Sequence, residues 1–139
     1  MMHQALEDIL NTLGEAERAG GRVLHEVEAL AQSDELRGLL KKVGHDEGYY
    51  AGELSAHVRR LGGQPSNKTG DFVEKVRAIP SFKAKLELLN KGQRWVIRKI
   101  QETLPSVTDR ELSEFLVNME KGHETNISSL EEALNTGVL

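Results

Sequence analysis

Four long stretches of this chain repeat apolar residues at helical spacing, and near the middle of each the apolar seam is broken by a polar side chain able to bind a metal. The first seam reads Leu6, Leu10, Leu13, Glu17, Gly20, Leu24 and Val27, and the second Leu36, Leu40, Val43, Glu47, Tyr50, Leu54, His57 and Leu61. The third reads Leu86, Leu89, Gln93, Val96 and Ile100, and the fourth Leu112, Leu116, Glu120, His123, Ile127, Leu130 and Leu134. Seam positions of packed helices point inward, where a carboxylate is costly unless a cation, a proton or hydrogen-bond donors compensate it. Interruptions at comparable depth in all four seams therefore predict a single polar layer built from Glu17, Glu47, Tyr50, Gln93, Glu120 and His123.

The punctuation between the seams sets the order of the elements. A first helix is expected from about Gln4 to Ala31. Ser33 is placed to cap a second, which Gly62-Gly63 stops, and so short a junction makes the pair an antiparallel hairpin. Residues 62–80 form the only long connection, with Gly-Gly-Gln-Pro-Ser at its start and Phe72, Val73 and Val76 suggesting one or two helical turns. A helix of about 25 residues is about 38 Å long, a distance that this connection can span. It can therefore carry the chain back to the other end of the molecule and leave the third helix parallel to the second. The third helix starts near Ser81 and ends at Pro105, and Thr108 with Glu111 form a capping-box pattern for the fourth. The expected fold is all-α, a single four-helix-bundle domain over residues 1–139 with a long crossover between helices 2 and 3.

Composition narrows the chemistry. The chain has 139 residues and no cysteine, which removes thiolate zinc sites, iron-sulfur clusters, disulfides and cysteine nucleophiles together, so any metal must use oxygen and imidazole ligands. A net charge of -4 with dispersed Lys and Arg offers no basic stripe for phosphates, so nucleic acid is not expected as a partner. No segment approaches the roughly 20 apolar residues of a membrane span, and the N-terminus lacks the pattern of a signal peptide, which makes a cytoplasmic location the default expectation.

A pair at i and i+3 projects to one side of a helix, so Glu120 and His123 can grip one ion, and Glu47 with Tyr50 repeats the spacing. Oxygen and imidazole ligands suit iron, manganese or zinc. The competing reading of the same residues is a metal-free network in which Tyr50, Gln93 and His123 hydrogen-bond the glutamates and an arginine such as Arg18 or Arg94 reaches in. His57 reads as a hydrogen-bonded core histidine, His3, His25 and His45 as surface residues, and Trp95 and Phe115 as packing.

Over residues 4 to 134 the chain resembles the ferritin-like superfamily, including rubrerythrin-type and small bacterial ferritin-like domains. The likeness rests on the helix order, the crossover, the ligand register and phrases such as Gly14-Glu15-Ala16-Glu17-Arg18-Ala19-Gly20 and His45-Asp46-Glu47-Gly48-Tyr49-Tyr50. The resemblance implies a glutamate from helices 1 and 3 and Glu-x-x-His from helices 2 and 4, a pattern that Glu17, Glu47, Glu120 and His123 match. Tyr50 stands where the helix 2 histidine belongs and Gln93 where the helix 3 glutamate belongs. What the resemblance implies is a degenerate site for iron or manganese, holding one ion, two or none, in a metal-handling or oxidative-stress protein that forms homodimers. The alternative is a metal-free helical module that acts by dimerisation or partner binding.

Overall fold

The computed structural model describes residues 2–136, among which every regular element is helical. Four long helices, α1 (Gln4–Glu28), α2 (Asp34–Arg60), α4 (Phe82–Thr103) and α5 (Arg110–Thr136), are joined by short links except between α2 and α4, where the six-residue α3 (Phe72–Arg77) interrupts a long connection. A single 3-10 turn, Leu104–Ser106, follows α4. No helix among the described residues is long and apolar enough to cross a membrane.

Local chemistry fixes most of the boundaries. Ser33 and Ser81 accept the backbone N–H of Leu36 (3.1 Å) and Ala84 (3.2 Å), satisfying donors that the first turn of a helix leaves free. His3, an exposed residue, performs the same task for Ala5. Gly62 ends α2 at a φ of 90°, a conformation that a side chain disfavours. Two expectations need correction. The first helix stops at Glu28 rather than Ala31, and the fourth is capped by Asp109, whose carboxylate accepts the Leu112 N–H at 2.8 Å, rather than by Thr108. Asp109 is also held by Arg60 at 2.6 Å, so the cap joins α5 to the end of α2.

Contacts along the helices define their directions. Gly14 faces Leu54, Gly20 faces Glu47 and Gly44 faces Leu24, so α1 and α2 are antiparallel. Arg60 meets Asp109 at one end of α2 while Lys42 meets Asn126 nearer the other, so α5 is antiparallel to α2. Asn90 bonds Ile127 and Gln101 bonds Glu120, so α4 is antiparallel to α5 and runs in the same direction as α2. The 62–80 segment lies along α1: Asn11 donates to the Gln64 carbonyl, Arg18 to those of Ser66 and Lys68, and Arg77 pairs with Glu26.

The interior has two apolar compartments. One is built around Leu24, Leu40, Val43, Leu86 and Leu130, and the other around Leu13, Leu54, Ile100, Leu112 and Leu116. Between them lies a layer of buried polar residues.

Candidate functional site

Glu17 on α1, Glu47 on α2 and His123 on α5 meet in this layer, at 1%, 2% and 0% exposure. His123 Nε2 lies 2.9 and 3.1 Å from the two carboxylate oxygens of Glu17 and 3.7 Å from Glu47 Oε2. One ligand-type atom from each residue falls within 4.8 Å of the others. Gly20, one turn beyond Glu17, makes the approach possible, because a Cβ there would stand 2.8 Å from Glu47 Oε1.

Burial dominates the electrostatics. Desolvation pushes the Glu17 carboxyl up to about 8, against a smaller opposing contribution from its hydrogen bond with Glu47. Glu47 is pushed well above the carboxylate range by desolvation, then by repulsion from Glu17. Burial also lowers the pKa of His123, favouring the neutral imidazole. Two acids this close in a dry layer do not both ionise unless a cation joins them. Neither arginine that the metal-free reading invokes supplies that charge: Arg18 serves the Ser66 and Lys68 carbonyls, and Arg94 pairs with Glu131. Among the described residues, Glu47 Oε2, Gln93 Oε1 and His123 Nδ1 have no hydrogen-bond partner in the protein.

A model of the domain of unknown function DUF6306 matches residues 4–132, which include nearly all of the helical structure. The chain belongs to the DUF6306 family. No curated protein and no solved structure matches it.

In this DUF6306 domain the remaining polar residues of the seams occupy three different settings. Tyr50 packs edge-on against His123, with ring centroids 5.2 Å apart, and against Phe115 at 6.3 Å. Its hydroxyl lies over Gly122, in space that a Cβ would fill, and desolvation pushes its phenol up to about 12, so it stays protonated. Gln93 is buried on α4, its Nε2 donating to Asn90 Oδ1 at 2.9 Å while Asn90 Nδ2 donates to the Ile127 carbonyl. Glu120 does not join the layer. It is half-buried and accepts a hydrogen bond from Gln101 at 2.8 Å. The inward seam of α5 runs Leu112, Leu116, Met119, His123, so Met119 fills the place expected for Glu120 and turns the carboxylate outward. Asn90, Asn126 and the spacer glycine Gly122 belong to the layer but lie on no seam as it is read from the sequence, whereas the other spacer, Gly20, lies on the first seam. Strict alternation of four- and three-residue steps along α5 is the signal that would have placed Met119 inside.

His57 is buried but lies outside the layer, with Arg60 3.0 Å from its Nδ1 and Phe115 beside its ring. His3, His25 and His45 are exposed.

Proposed function

We propose that this DUF6306 domain is a four-helix bundle of the ferritin-like kind, with residues 62–80 as its crossover, and that it binds one divalent metal ion, iron or manganese, on Glu17, Glu47 and His123. The observation that carries this reading is the convergence of two carboxylates and one imidazole from three helices, buried and within 4.8 Å of one another. The donor set fits such an ion: two carboxylates balance two positive charges, a neutral imidazole adds the third ligand, and Glu47 Oε2 is free to coordinate. A second ion fits poorly, because Glu120 is turned outward, Gln93 is neutral and the Tyr50 phenol keeps its proton. Bound iron or manganese would supply Lewis acidity and, with oxygen or peroxide, one-electron chemistry. Around it, Gly20 leaves room for the Glu47 carboxyl, and the Tyr50 ring, backed by Phe115, covers the edge of the imidazole.

The test is elemental analysis of protein purified without chelator, followed by anaerobic Fe(II) and Mn(II) titration. The expected stoichiometry is one ion per chain, lost in His123→Ala. The second reading, a metal-free module, is supported by the hydrogen bond between His123 and Glu17, since protons held on the two acids also make the layer neutral. That module would act as a homodimer. The exposed Gly48 and Gly52 leave one side of α2 open to close approach, and sedimentation at high concentration checks this.

A further inference from the structure

A cavity of about 360 Å³ reaches from the surface to the polar layer between α1, α3 and α4. Its mouth carries Asp71 and Lys75, exposed and paired with each other at 3.6 Å. Phe72, Trp95, Leu89 and Val96 make its walls apolar. Its inner end is formed by Glu17, Glu47 and Gln93. The size lies within the range of small-molecule sites, and an apolar wall with a few convergent polar atoms is their usual make-up.

The orientation of Gln93 decides what the inner end can recognise. A backbone carbonyl only accepts, so the contact of Asn90 with the Ile127 carbonyl must come from Nδ2, which leaves Asn90 Oδ1 to accept from Gln93 Nε2. That fixes Gln93 Oε1 as the free atom, an acceptor on a residue 2% exposed and without a partner in the protein. An acceptor buried in this way has lost its hydration without a replacement, a cost that an incoming donor relieves. The Gln93 amide nitrogen is turned to Asn90, to which it donates.

We propose that this cavity is a binding pocket for a small neutral molecule with a flat or branched apolar body and one hydroxyl or N–H donor, which enters past Asp71 and Lys75 and donates to Gln93 Oε1. Phenol is the simplest member of the class. The apolar body lies against Phe72 and Trp95, and carboxylates are excluded because an ionised carboxylate has no donor to offer Gln93 Oε1. The pocket shares Glu17 and Glu47 with the proposed ion site but rests on Gln93 and the cavity walls, so each can fail alone.

Trp95 is the only tryptophan of the chain, so its indole N–H gives a single resolved NMR signal at the wall of the pocket. Phenol, anisole and benzoate are titrated into the full chain, following that signal and the Gly92 amide. Phenol is expected to shift both saturably. Anisole, of the same shape but without the donor, is expected to bind at least about tenfold more weakly, the worth of one buried hydrogen bond. Gln93→Leu should remove the preference for phenol over anisole, and Ala16→Leu, which narrows the cavity, should weaken both. No saturable shift, equal binding of phenol and anisole, or tighter binding of benzoate overturns the proposal. These wild-type comparisons decide it even where a variant does not fold. Phenol binding by His123→Ala separates the two sites: retention beside lost metal affinity is expected, and loss of phenol binding from a folded variant overturns an independent pocket.

Discussion

The two hairpins of this molecule are laid out alike and contribute opposite chemistry. α1 and α2 bring both of their acids, Glu17 and Glu47, into the dry layer, whereas α4 and α5 bring an amide and an imidazole, Gln93 and His123, and leave their one seam acid, Glu120, half-exposed against Gln101. All the negative charge of the site therefore comes from one hairpin and its neutral donors from the other. A layer with two charges to balance suits one divalent ion, where a layer with four would suit two.

Exchanging charge between the hairpins gives the largest expected effect. Glu17→Gln, Glu47→Gln and His123→Ala should each lower Mn(II) affinity by at least about 100-fold, since even a residue behind a ligand is worth about 10–100-fold. Glu120→Gln should leave it within about twofold. Calorimetric titration of the four variants checks the contrast, and an equal loss in Glu120→Gln would break it.

Packing across the hairpins is tested next. In Gly122→Ala the new methyl group overlaps the Tyr50 hydroxyl, and the expected destabilisation is about 1–3 kcal/mol. Adding Tyr50→Phe removes the clashing oxygen and should recover most of that loss. Gly48→Ala, which meets nothing within 4 Å, should instead stabilise by up to about 1 kcal/mol. Urea denaturation measures all three.

Acidity separates the buried acids from the buried histidines in the metal-free protein. Glu17, with an ordinary value of 4.5 and a folded value of about 8, binds its proton more tightly when folded, so its contribution is full below 4.5 and is lost as pH rises through 8. Glu47 acts in the same direction. His123 and His57, whose values are lowered by burial, contribute above 6.5 and lose that contribution as pH falls. Between 6.5 and 8 the acids govern, and stability should fall by about 1 kcal/mol per pH unit from Glu17, with Glu47 adding to the decline. Chemical denaturation across that window should show the decline, and Glu17→Gln should make it shallower. The smallest effect is expected at the displaced acid, where Glu120→Ala should change stability by no more than about 0.5 kcal/mol by the same method.

Helical spacing made the four long helices, the short turn within the long connection and the burial of Glu17, Glu47, Gln93 and His123 legible in the sequence. Each of these follows from local periodicity, which burial enforces. Glu120 falls on the seam only if two four-residue steps follow each other, Leu112 to Leu116 to Glu120, which drifts off the inward face, whereas alternation of four and three reaches Met119. The first-turn donor of α5 could be met by Thr108 or Asp109, and the pull of Arg60 from α2 favours the aspartate. The Asn90–Gln93 pair was illegible for a related reason. An asparagine three residues before a glutamine is common on exposed helices, and its meaning here depends on the Ile127 carbonyl of another helix.

The connection strapped along α1 gives the layer a place in time. Each hairpin can form from contacts close in sequence, but Glu17 and His123 meet only when the two hairpins dock, across most of the length of the chain. An ion held by both hairpins, as proposed, would then act as a latch that closes only after they have docked. Such a latch would slow opening while leaving closing at its own rate. Stopped-flow measurements with and without Mn(II) should show the difference in the unfolding limb alone, and the lifetime of the folded domain would then follow the metal supply around it.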